Sequence, residues 1–226
     1  MVVLLQVQDS VTTAINAVAP QTESAWSILQ KGGFLMYPLY ALFVATIFVF
    51  FERFFAINKA SKIDANFMSI IRDNIMTGNL SAARNLAKNT DNAVARIIDK
   101  GIQRIGKPID AIEKSMENVG NLEVYKMERN ISILSLVYGI APMIGFLGTI
   151  FGMLQLFSAI STTGDFTPAS IAGGIYTKMV TSASGLIIGL LAYLAYNFLN
   201  AQIGKTVNKM EAASADFVDM LQEPTR

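Results

Sequence analysis

Few residues in this 226-residue chain can carry chemistry, because it contains neither cysteine nor histidine. That excludes thiolate nucleophiles, imidazole bases, disulfides and Cys/His metal centres. Hydroxyls, carboxylates, lysines and water remain for any proton chemistry. Thr149, Thr181 and Ser182 stand out because they interrupt long apolar runs. Gly145, Gly148, Thr149 and Gly152 recur at offsets of three and four and so share one small-residue face of a helix, with Pro142 near its start. Ser182, Gly185, Gly189 and Ala192 form a matching face later in the chain. Thr149 lies eleven residues before Ile160 and Ser182 eleven after Ile171, so each sits roughly 17 Å from the intervening hairpin at about 1.5 Å per residue.

Two readings of these faces stand side by side. Small residues and hydroxyls let membrane helices approach closely, and a hydroxyl can bond a carbonyl of its own helix. Alternatively, hydroxyls at one depth can tune a proton path. No Asp or Glu occurs between Ile131 and Ile160 or between Ile171 and Asn200, so the carboxylate expected of a membrane relay must come from another chain.

The elements that position these residues are membrane spans. A chain 52% hydrophobic and 15% charged, with mean hydropathy +0.42, is wrong for a soluble globule. Three stretches, 33–57, 131–160 and 171–200, suit a hydrocarbon core that needs about 20 apolar residues. Twelve Lys and Arg lie between the first and second, whereas the 161–170 hairpin has none and only Lys31 precedes the first. The positive-inside rule puts the 58–130 loop and the 201–226 tail in the cytoplasm, and the hairpin and N-terminus outside it. The opening residues lack a basic n-region and a cleavage site, which predicts a retained N-terminus. Segment 1–32 is expected to form an extracytoplasmic amphipathic element anchored by Trp26. The net charge of +1 points to no nucleic-acid partner.

Three-to-four spacing makes the loop helical over Ala65–Thr77, Leu80–Lys88 and Asp91–Arg104, with breaks at Gly78-Asn79 and Gly106-Lys107-Pro108. Ile109–Arg129 is expected to run unbroken into the second span, and the third to continue past Asn200. The fold class is therefore an all-α membrane protein with three transmembrane helices, the second and third extended into a cytoplasmic bundle.

Ala141-Pro142, Gly145-Phe-Leu-Gly-Thr149-Ile-Phe-Gly152, Gly174-Ile175, Thr181-Ser182-x-x-Gly185-Leu186 and Tyr196-Asn197 together resemble the MotA/TolQ/ExbB proton-channel family, in its ExbB and TolQ branch. The resemblance spans Trp26 to Val207. It implies a pentameric ring in the bacterial inner membrane whose second and third spans line a pore. ExbD- or TolR-like partner helices would occupy that pore and bring an aspartate. Thr149 and Ser182 match the pore hydroxyl positions, with Thr181 beside them. Protons are the coupling ion, with no other cofactor, and a TonB- or TolA-like transducer receives the work. Many members carry a glutamate where this chain has Thr177, followed by Lys178. Lys178 then either anchors at the outer rim or opposes cations. Glu52 is either a paired charge at the cytoplasmic end or a proton exit.

Other classes fit less well. A self-contained transporter needs an internal substrate site and broken helices, and no nucleophile-base pair or metal-ligand constellation suggests an enzyme. A non-conducting membrane scaffold remains a competitor, and so does a TolQ role against an ExbB role.

Overall fold

The computed structural model describes residues 33–164 and 167–222. The expected N-terminal amphipathic segment and Asp165 of the hairpin lie outside them. Seven helices follow in order: α1 (Met36–Ser61), α2 (Phe67–Met76), α3 (Leu80–Asn89), α4 (Ala93–Ile102), α5 (Ile109–Glu128), α6 (Ile131–Thr163) and α7 (Pro168–Gln222). Among the described residues there is no strand. Three helical stretches, Met36–Ser61, Ile109–Thr162 and Lys178–Gln222, are long and apolar enough to cross a membrane.

Local chemistry sets the boundaries. Asn79 caps α3 by accepting from the Ala82 amide at 3.2 Å. Asn92 caps α4 by accepting from the Ala95 amide at 2.7 Å. Asn92 also donates to the Lys62 carbonyl at 3.1 Å, tying the cap to the end of α1. Gly164 ends α6 in the left-handed region at φ 65°, its amide bonding the Ile160 carbonyl.

One expectation is corrected. Ile109–Arg129 does not run unbroken into the second span, because Asn130 adopts φ 65° and separates α5 from α6. Asparagine tolerates this left-handed conformation better than most residues, because its short polar side chain can hydrogen-bond locally. Composition alone hid the break, since neither Gly nor Pro marks it.

Helix α7 has 55 residues, about 80 Å at 1.5 Å per residue, and joins two different kinds of packing. Its far half completes a water-side core with α4 and α5. Phe217, Met116, Ile97 and Ile98 are fully buried there, and Gly101 lets the Phe217 ring and Met116 sulfur approach the α4 backbone. Its near half pairs with α6 and α1. In that pair the apolar windows are mostly exposed, as expected where lipid or other chains must cover them.

Candidate functional site at the pairing of the second and third spans

Helices α6 and α7 run antiparallel along a ladder of glycine contacts. A Cβ placed on Gly185 would stand 2.5 Å from the Ala141 carbonyl oxygen and 2.9 Å from the Gly145 Cα. One placed on Gly145 would meet the Ser182 carbonyl oxygen at 3.1 Å. The two backbones therefore touch directly. One rung inward, Gly189 receives the Pro142 ring, with a Cβ there only 2.6 Å from Pro142 Cγ. Pro142 cannot donate to the Tyr138 carbonyl, and that oxygen also lies against Gly189. Helix α6 continues through Pro142 without interruption.

Outward along the ladder, Gly148 faces the Thr181 side chain, with a Cβ there 2.7 Å from Thr181 Cγ2. Thr181 is only 1% exposed. Thr181 fills the seam between the two helices, because Gly148 leaves room for a methyl. Further out, the Lys178 stem lies in the space a side chain on Gly152 would take. Gly145, Gly148, Gly152, Gly185 and Gly189 are all buried in this seam.

Thr149 and Ser182 are each one residue from the Gly148–Thr181 rung, so the structure places them at one level. Both are half-buried. Helix α1 packs on one side of the pair, where Met36 and Leu39 meet Val137, Ala141, Ile188 and Ala192. On the other side, the Tyr138 ring meets Tyr193 and Tyr196 at centroid distances of 5.6 and 5.9 Å. Thr149 follows Tyr138 by eleven residues and Ser182 precedes Tyr193 by eleven, which is about three helical turns. Both hydroxyls therefore lie on the tyrosine flank, turned away from α1.

Their hydrogen-bonding states differ. Thr149 donates to the Phe146 carbonyl at 2.7 Å, leaving its lone pairs to accept. For the Ser182 hydroxyl the described residues supply neither a donor nor an acceptor. Ser184, on the neighbouring face, donates to the Val180 carbonyl at 2.8 Å.

Helix α1 gives this level a depth. A Cβ on Gly148 would lie 3.7 Å from Leu35, the N-cap residue of α1. Arg53, at its other end, donates to the Lys126 carbonyl at 3.2 Å. Arg53 follows Leu35 by eighteen residues, about 27 Å along the helix, close to a hydrocarbon core of about 30 Å. Exposed Phe34 and Tyr37 stand at the N-terminal end of α1, as membrane-interface aromatics do. The hydroxyl pair lies toward the Leu35 end of that band, and Lys178 one rung beyond it. Among the described residues no carboxylate pairs with Lys178.

The opposite boundary, at the Arg53 end, is charged. Glu52 pairs with Arg53 of its own helix. Beyond it, Glu123 accepts from Arg96 at 2.6 Å and from Lys126 at 2.7 Å, and Arg96 continues to Asp91 at 2.7 Å. Glu123 is 3% exposed. Burial pushes its carboxyl up, but the bonds from Arg96 and Lys126 outweigh burial and hold it below the usual carboxylate range. The Lys59 bond likewise holds exposed Asp91 low. Sequence reasoning missed this network. Its signal was an acid inside the α5 stripe of Ile112, Met116, Val119 and Met127. No group of His, Cys, Asp or Glu suited to a metal ion occurs among the described residues.

The sequence is similar to several known proteins. Over 185 residues the chain is 24% identical to a putative biopolymer transport protein ExbB homolog of Methanothermobacter thermautotrophicus, covering 81% of this chain and 66% of that protein. It is 23% identical over 196 residues to the biopolymer transport protein exbB1 of Vibrio cholerae, covering 84% and 85%. It is 22% identical over 213 residues to the Tol-Pal system protein TolQ of Pseudomonas aeruginosa, covering 88% and 92%. The family profile matches residues 89–212, more than half of the chain and all of the seam between α6 and α7. The chain belongs to the MotA/TolQ/ExbB proton channel family.

Proposed function

We propose that this chain is the ring-forming stator subunit of a proton-driven membrane motor of the ExbB type. In this reading it sits in the bacterial cytoplasmic membrane with its N-terminus periplasmic and its C-terminus cytoplasmic. Several copies, five in the pentameric form, surround an ExbD-like helix, and the assembly drives a TonB-like transducer for outer-membrane import. Protons are the coupling ion and no catalytic residue is required.

One observation carries the reading: Thr149 and Ser182 share a level and a flank of a span pair that contains no acid. A hydroxyl both donates and accepts, so such a pair can hold a visiting carboxylate in either protonation state, or the water that reaches it. About 2.3 kcal/mol is available per elementary charge per 100 mV, enough for a few protons to rearrange an interface. Thr181 acts in this reading through packing, by holding the rung beside the hydroxyls. A TolQ role remains the second reading, favoured by the coverage of the Pseudomonas TolQ protein.

Proton flux into liposomes that hold the chain with its single-span partner tests the proposal. Replacing Thr149 and Ser182 together by alanine should preserve assembly, since alanine is small and suits a helix, while removing most of the flux. Flux at the wild-type rate from that variant would make both hydroxyls packing groups and leave the scaffold reading. Labels at exposed Asn89 and Lys205 should be unreactive from outside sealed cells but reactive in opened ones, whereas one at Thr163 should react from outside.

A further inference from the structure

Outside the spans, α5 and α7 diverge around a groove of about 450 Å³, within the range of about 300–1,000 Å³ common for binding clefts. Its apolar surface comes from half-buried Gly120, Val124, Val207 and Val218, backed by Ile97, Met116 and Met210, which the fold already buries. Gly120 opens it: a Cβ there would find only Ile97 Cδ1 at 3.6 Å and Met210 Cε at 3.8 Å. Four carboxylates, Glu113, Glu117, Glu211 and Asp219, stand among the lining residues, which include no lysine or arginine. Lys114 pairs with Glu117 at 2.7 Å on the exposed side. The pairing of α6 with α7 uses none of these groups.

We infer that this groove is the docking site for a basic amphipathic helix of another protein on the cytoplasmic side. An apolar floor between acidic walls selects an occupant with apolar residues at three-to-four spacing and Lys or Arg on both margins. Nothing among the described residues of this chain can supply such a helix. Helix α3 is basic and amphipathic, but Ala83 and Ala87 on its apolar face are already buried. A second copy can offer the exposed Leu122 and Tyr125, yet these lie on α5, which carries its own acids, so charge favours a different protein.

The test uses full-length protein in nanodiscs of zwitterionic phosphatidylcholine and a fluorescent 18-residue helical peptide of leucine and lysine at amphipathic spacing. Its control peptide has glutamate at every lysine position. Anisotropy should show saturable binding of the lysine peptide that weakens with salt, and none of the glutamate peptide. Reversing the walls with E113K, E117K, E211K and D219K together should weaken binding at least about tenfold. Circular dichroism should report an unchanged fold. Gly120→Leu fills the floor without altering charge and should weaken it by a similar factor. Equal binding of both peptides, or wild-type affinity after either substitution set in folded protein, overturns the inference. So does a disulfide ladder between copies carrying cysteine at Tyr125 and Val218, which would assign the groove to a second copy. None of these readouts depends on proton flux, so the inference and the motor reading fail separately.

Discussion

The seam between α6 and α7 and the bundle of α4, α5 and far α7 share one long helix, α7, yet they are held together by opposite means. In the seam, backbone meets backbone across Gly145 and Gly185, and Lys178 is the sole charged residue of α6 and the near half of α7. In the bundle, large side chains such as Phe217 and Met116 fill a core, and Glu123 is buried between two cations. The difference follows from the solvent. Lipid offers no hydrophobic drive for helix pairing, so close contact through small residues supplies it, whereas water rewards burial of large apolar groups.

The strongest challenge to that contrast is Gly185→Leu. The nearest atoms, the Ala141 carbonyl and the Gly145 Cα, are backbone and cannot rotate away. Loss of at least about 3 kcal/mol is expected, toward the upper end for overpacking. Thermal melting followed by circular dichroism in detergent should show it as collapse of the upper transition. A near-wild-type melt would mean that the seam is not tightly closed.

In the bundle, Glu123→Gln should cost about 2–3 kcal/mol. That is less than the loss of about 3–5 kcal/mol for a fully buried pair, because Arg96 and Lys126 still reach water. The same carboxylate predicts acid sensitivity. Its folded pKa lies below the unfolded value, so its stabilisation is complete above the unfolded pKa of about 4.3 and is lost as pH falls through the folded value. Melting curves of wild type and Glu123→Gln should converge as pH drops through this window. A constant gap would remove Glu123 from the account.

A smaller effect separates rungs within the seam. Gly152→Ala meets the flexible Lys178 stem, whereas Gly148→Ala meets the Thr181 side chain, whose branched Cβ is stiff. Gly152→Ala should therefore cost less, by about 1 kcal/mol. Reversal of that order in the same melts would show that Lys178 is the more rigidly held of the two.

The smallest effect has the opposite sign. Gly139 and Gly204 lie inside helices with nothing within 4 Å of an added Cβ. Alanine at either should stabilise by about 0.5–1 kcal/mol through reduced unfolded-state freedom. Destabilisation by Gly139→Ala with no change from Gly204→Ala would reveal a close neighbour at 139 in the assembled protein.

Much of this protein is legible in its order of residues. Apolar length predicts the three spans, and the run beyond Asn200 predicts that α7 continues, because both depend on local composition and period. The glycine spacing likewise marks the two faces that meet, since 3.6 residues per turn already puts those residues on one side of each helix. The register between helices was not available that way. Which glycine faces which residue depends on long-range packing, and this separated Thr181, sealed over Gly148, from its neighbour Ser182 on the open flank. The break at Asn130 was equally hidden, because a residue that only tolerates a left-handed turn does not require one. Only the tertiary structure assembled Arg53, Arg96, Glu123 and Lys126 into one boundary, since a buried charge is stable only where partners from distant segments arrive together.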